Sequence, residues 1–77
     1  MKISVLVFGQ IAEIVNTEKL ILQNVKDTDE LNEQLKKEYP LLQKLAYSIA
    51  VNKKIIQSNT ILTNADVVAI LPPFSGG

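Results

Sequence analysis

Histidine and cysteine are both absent from these 77 residues. Without cysteine the chain forms no disulfide and offers no thiol as nucleophile or metal ligand. Without histidine, ordinary zinc sites and imidazole acid–base catalysis are excluded as well, and no metal site is expected. Net charge is missing too, because eight basic and eight acidic residues cancel to zero. A nucleic-acid binder needs a basic excess or a basic stripe. Here the basic residues are scattered, with only the pairs Lys36-Lys37 and Lys53-Lys54, which read as solvated surface. The apolar run from Ile3 to Phe8 is too short for an export signal or a membrane span. The expected address is cytoplasmic, with neither nucleic acid nor membrane among the partners.

What is present suits one small domain. The hydrophobic fraction of 47% is ample for a single core and too high for a disordered chain. A chain this short buries only about 60% of the surface its unfolded form exposes, so its stability is modest. Residues 2–8 read as a strand with Ile3, Val5 and Val7 on one face and Ser4, Leu6 and Phe8 on the other. Both faces are largely apolar, which predicts a strand inside the sheet rather than at its edge. Gly9 breaks it, residues 10–15 read as a short helix, Asn16-Thr17 as a turn, and residues 19–23 as a second strand antiparallel to the first. Asp27 followed by Glu30 has capping-box spacing and predicts the start of the main helix. Leu31, Leu35 and Tyr39 share its apolar face, Lys36-Lys37 complement its dipole, and Pro40 ends it. Residues 41–47 predict a second short helix with Leu42, Leu45 and Ala46 partly buried. Residues 49–51 and 55–56 predict two short strands around a turn at Asn52-Lys53-Lys54. Residues 57–64 are a loop anchored by Ile61 or Leu62. Asn64-Ala65-Asp66 is a turn, with Asp66 bonding nearby backbone N–H groups, and residues 67–71 are the last strand.

The order is β, short α, β, long α, short α, β, β, β. One main helix and five strands pack most economically as an α+β fold, a mixed sheet with the helix across one face. The first and last strands, the most hydrophobic, would lie side by side at its centre. That is the β-grasp arrangement of ubiquitin-like proteins. It predicts a domain over residues 1–71 and a flexible tail over 72–77.

The tail reads Pro72-Pro73-Phe74-Ser75-Gly76-Gly77. Pro72 and Pro73 lack N–H donors and stop the last strand from pairing further. A terminal glycine pair caps nothing and makes no turn. Gly76 adopts almost any backbone angle, and Gly77 leaves its carboxyl carbon open to attack. Extended at roughly 3.3 Å per residue, Phe74 to Gly77 would reach on the order of 13 Å beyond the last proline. The proline pair stiffens the root of this tail, so less entropy is lost when it enters a pocket.

The stretch Ile49-Ala50-Val51-Asn52, followed by Leu62, Asp66, Val68-Ala69 and the Pro-Pro-Phe-Ser-Gly-Gly end, resembles the small subunit of molybdopterin synthase. The opening Val5-Leu6-Val7-Phe8-Gly9-Gln10 with Glu13-Ile14 is similar to that family's opening as well, so the resemblance spans the chain. A Gly-Gly end is common to ubiquitin-like carriers, whereas Pro-Pro-x-Ser-Gly-Gly is much narrower. Two departures from the family matter, Ala65 in place of glycine and Val67 in place of a charged residue. The family's usual Asp-Gly-Asp-Glu is Asn64-Ala65-Asp66-Val67 here, and alanine tolerates positive φ poorly, so a different turn is expected.

The resemblance implies a sulfur carrier that is not catalytic alone. An E1-like adenylating partner uses ATP to convert the Gly77 carboxylate to an acyl-adenylate, and sulfur displaces AMP to leave a thiocarboxylate. The large, catalytic subunit then receives the tail, and the sulfur passes to a cyclic pterin phosphate to build the dithiolene of molybdopterin. The chain itself would bind no cofactor, and the family usually assembles as a heterotetramer. This fits the empty catalytic inventory, since the reacting groups would sit on the partners.

If Val68 and Ile70 face the core with Ile3, Val5 and Val7, then Val67, Ala69 and Leu71 face outward beside Leu6 and Phe8. Such a patch marks a partner site unless a helix or loop covers it. The expected partner-binding residues are Leu6, Phe8, Leu71, Pro72, Pro73, Phe74 and Ser75. Competing readings are a sulfur carrier for thiamine synthesis or tRNA thiolation, a ubiquitin-like modifier joined to lysines through Gly77, and an inert interaction module.

Overall fold

The apolar alternation of the first strand sets the frame of the molecule. The computed structural model describes residues 2–72. β1 (Lys2–Val7) puts Ile3, Val5 and Val7 inward, each essentially fully buried. α1 (Gly9–Val15) follows, with Ile11 and Val15 buried, and Asn16 closes it at φ +62°. Asparagine tolerates that left-handed conformation better than most residues. β2 (Lys19–Gln23) returns antiparallel to β1, with Ile3 opposite Leu22 and Val5 opposite Leu20.

α2 (Thr28–Glu38) is the main helix, and its start is built as the sequence suggests, with one shift. The Asp27 carboxylate accepts from the Glu30 N–H at 2.9 Å. The Glu30 side chain reaches back to the Lys26 N–H at 3.2 Å, one residue before the cap, rather than to Asp27 itself. A second residue joins the cap, since Asn59 Oδ1 accepts from the Asp29 N–H at 2.9 Å. The hydrogen bond from Glu30, then that from Asn59, holds the Asp27 carboxyl below the usual carboxylate range. Buried Thr28 exchanges hydrogen bonds with the backbone of Thr60, fixing the long loop to the helix start. Leu62 is that loop's buried anchor, while Ile61 is exposed.

The segment after α2 differs from expectation. It is a 3₁₀ helix over Pro40–Lys44, shorter than the helix expected over residues 41–47. Leu42 is buried and Leu45 half-buried, but Ala46 is exposed. The chain extends at Leu45 (φ −111°, ψ 144°) to enter the next strand, which stops any longer helix. β3 (Ser48–Val51), β4 (Lys54–Ile55) and β5 (Val67–Leu71) complete one five-stranded sheet, ordered β2-β1-β5-β3-β4. β1 and β5 are parallel neighbours, with Val5 opposite Val68 and Val7 opposite Ile70; the other pairs are antiparallel. This is the β-grasp arrangement expected from the sequence. Leu31 and Leu35 of α2 join the inward strand residues and Leu42 in one core. Fully burying each such side chain stabilises the fold by roughly 1.5–3 kcal/mol.

Candidate partner-docking site

Both helices pack on the inward face of the sheet, and among the described residues no helix covers the opposite face. Its outward positions follow from strand parity and pairing. Leu6 lies opposite Ala69, Ala69 opposite Ala50, and Ala50 opposite Ile55. Across these strands runs an apolar groove of about 540 Å³, lined by Leu6, Phe8, Ala50, Ile55, Val67, Ala69 and Leu71, with Asn52 and Lys53 at one end. Among the described residues, none from a helix lines it. Phe8 (46% exposed), Ile55 (55%) and Val67 (42%) leave much of their apolar surface in solvent. Contiguous exposed apolar surface of this kind marks an interaction site more often than chance packing.

The chain positions Phe8 by ending β1 one residue sooner than the sequence suggests. Phe8 is extended (φ −134°, ψ 157°) and precedes α1 as its cap residue, without a side-chain cap bond. Gly9 then turns the backbone at φ +54°. A Cβ on Gly9 would lie 3.4 Å from Pro72 Cγ, so the start of α1 and the root of the tail are in close register. Leu71 and Pro72 are both half-buried. The structure thus gathers Leu6, Phe8 and Leu71 in one groove and sets Pro72 beside Gly9. Pro73, Phe74, Ser75, Gly76 and Gly77 lie outside the described residues.

At the far end of the groove is a two-residue hairpin loop, Asn52-Lys53, with φ of +50° and +74°. Lys54 belongs to β4 rather than to the turn. Both loop residues in the left-handed region make this a type I′ geometry, which matches the twist of the flanking strands. Asn52 uses its side chain as well. Its amide donates to Asp66 Oδ1 at 2.8 Å, and its carbonyl accepts from the Val67 N–H at 3.0 Å. Asp66 Oδ2 accepts from the Thr63 N–H at 2.8 Å. The Asn52 bond, followed by that from Thr63, holds the Asp66 carboxyl below its usual range. The turn at Asn64-Ala65 closes through Asp66 N–H to Thr63 C=O at 3.0 Å. Ala65 is not among the residues with positive φ, so alanine is accommodated without strain.

Sequence reasoning missed Ala50, Ile55, Asn52 and Lys53 as groove residues. The register that joins β3 and β4 to β5 decides their face, and no local pattern in such short strands fixes it. Among the described residues no group of three metal-ligating side chains converges. No helix of the described chain is long and apolar enough to cross a membrane.

The comparisons with known proteins agree with this fold. A model of the ThiS family matches residues 5–77. The chain belongs to the ThiS family. This ThiS-family chain is 34% identical over 82 aligned positions to the molybdopterin synthase sulfur carrier subunit of Mycobacterium tuberculosis (strain ATCC 25618 / H37Rv), covering 100% of this chain and 99% of that one. It is therefore a homologue of that carrier subunit. It also resembles a chain in the complex of subunits 1 and 2 of molybdopterin-converting factor from Helicobacter pylori 26695. The TM-score there is 0.76 at 33% identity, with both chains fully covered. The small archaeal modifier protein 1 of Methanosarcina acetivorans has the same fold, with a TM-score of 0.83, 24% identity, and coverage of 99% of this chain and 96% of that one.

Proposed function

We propose that this chain is the sulfur-carrier small subunit of a molybdopterin synthase, with its chemistry at the Gly77 carboxylate. An E1-like partner joins that carboxylate to AMP at the expense of ATP, releasing pyrophosphate. A persulfide sulfur adds to the acyl carbon and AMP leaves; cleavage of the S–S bond by a thiol leaves the thiocarboxylate. The large subunit receives residues 72–77 as an extended tail, and the sulfur passes to a cyclic pterin phosphate. The domain over residues 1–71 does no catalysis itself. Its role is to dock through the open-face groove and hold the tail's root in place.

The observation that carries this reading is the position of β5. It lies between β1 and β3, paired along both edges, and its last residue, Leu71, lines the groove immediately before Pro72. A strand paired on both sides is a rigid base for a tail, and a docking surface beside it fixes where the tail enters a partner. The homology to a molybdopterin synthase sulfur carrier supports the choice of acceptor. The likeness to an archaeal modifier protein is one of fold alone and leaves a protein-modifier reading as the rival.

The deciding experiment is intact-protein mass spectrometry after incubation with the adenylating partner, ATP and a sulfide source. Replacement of one oxygen by one sulfur at Gly77 is the expected result. Adducts on lysines of other proteins, with no such replacement, would move the assignment to a modifier.

A further inference from the structure

Lysines flank the open sheet face of this neutral molecule. The outward positions of β1 and β2 include Lys2 and Lys19, and the β3–β4 loop brings Lys53 to the end of the groove. No Asp or Glu occupies an outward strand position on that face. The main helix on the other face is mixed in charge, with Asp29, Glu30, Glu33 and Glu38 beside Lys36 and Lys37, and Asp66, bonded to Asn52, adjoins the loop.

Lys53 carries a second signal. It is the second residue of a type I′ loop at φ +74°, a position that glycine fills best. Asn52 before it suits its own conformation, whereas a lysine at +74° is strained. A strained residue next to a candidate site invites a functional reading. Here the strain sets a cation at the mouth of an apolar groove.

We propose that Lys53, with Lys19 and Lys2, selects a protein partner whose docking surface is apolar at its centre and carries carboxylates opposite these lysines. This rests on the groove being the docking surface. The argument is charge complementarity: an apolar centre supplies affinity, while a rim of one sign raises the association rate and rejects partners of like sign.

Association of the full-length carrier with the purified large synthase subunit of the same organism, followed by stopped-flow, tests this. Raising salt from about 0.1 M to about 1 M shortens the screening length from about 10 Å to about 3 Å, and should slow association markedly. Lys53→Gly should associate roughly two- to five-fold more slowly, the effect of one rim charge. Its melting midpoint should stay at or above the parent's, because glycine relieves the loop. Lys53→Glu and Lys19→Glu should slow association further. Phe8→Asp serves as the control for the groove itself and should weaken affinity at least about ten-fold. Unchanged affinity in Phe8→Asp overturns the docking surface and this inference with it. Weakened Phe8→Asp, with salt and the three lysine variants without effect on association, overturns the charge inference alone.

Discussion

The side-chain amide of Asn52 bridges two segments, donating to Asp66 at 2.8 Å while accepting from the Val67 N–H at 3.0 Å. The loop after β3 is thereby tied to the first residue of β5, the strand that leads to the tail. The Asn52 N–H also donates to the Val67 carbonyl at 2.9 Å, so side chain and backbone both hold this junction. Asn52→Ala removes both side-chain bonds and places alanine at positive φ. The expected loss is about 1–2 kcal/mol, read as a lower urea midpoint at unchanged slope. Asn52→Gly keeps the loop geometry and should lose less. Equal losses in the two variants would mean that the side-chain bridge contributes nothing beyond backbone fit.

Acid should attack the fold through two carboxylates. Asp27 and Asp66 both have folded-state values below their ordinary range, because each accepts hydrogen bonds that favour the charged form. A depressed value contributes stability that is fully present above the unfolded value, about 3.9 for aspartate, and is lost as pH falls through the lower folded value. The melting midpoint should therefore hold from neutrality down to about pH 5 and fall below about pH 4. Asp27→Asn keeps a capable cap residue at neutral pH and should flatten this acid decline. An unchanged decline in both Asp27→Asn and Asp66→Asn would assign acid sensitivity elsewhere.

Gly9 tests the coupling between the start of α1 and the root of the tail. Its φ of +54° is the obstacle to a side chain, since an added Cβ would meet Pro72 only at ordinary contact distance, 3.4 Å. Gly9→Ala should destabilise by about 1 kcal/mol, from backbone strain rather than from a clash. Gly9→Asn, better suited to the left-handed region, should recover part of that loss in the same urea titration. A larger loss for asparagine than for alanine would place the cost in the contact with Pro72 instead.

Much of this fold is legible in the chain because its signals are redundant. Strict alternation in β1, the Asp27 cap, Pro40 and the two-proline stop each point to one element boundary. Together they leave little choice but a mixed sheet with one helix across it. The segment from Pro40 to Tyr47 is ambiguous for a physical reason. Leu42 and Leu45 lie three residues apart, a spacing that both 3₁₀ and α geometry place on one face. The backbone leaves the helix at Leu45, and Tyr47, just before β3, donates its hydroxyl to Asn32 on α2, a contact that the local spacing does not announce. Burial of that tyrosine raises its pKa, in keeping with a packing role. The groove is half legible in the same way. Leu6, Phe8 and Leu71 follow from parity within long strands. Ile55 and Lys53 depend on a two-residue loop that contains no glycine, and nothing in Asn-Lys announces a type I′ turn.

The tail separates chemistry from folding most cleanly. Adding a single residue after Gly77 moves the carboxylate and places a substituted carbon where a bare one is proposed to react. Such a chain should melt at the parent's temperature, since the core of the described residues is built from side chains between Ile3 and Ile70. Sulfur transfer to the pterin precursor should fall below detection in an assay with adenylating enzyme, sulfur source and large subunit. Deleting Gly76-Gly77 should do the same. Binding to the large subunit should survive in the extended chain more than in Phe8→Asp, because the groove is intact. An extended chain that matured precursor at the parent's rate, with mass spectrometry showing it untrimmed, would remove the terminal carboxylate from the mechanism. An extended chain that failed to bind at all would instead place most of the docking affinity in the tail rather than in the groove.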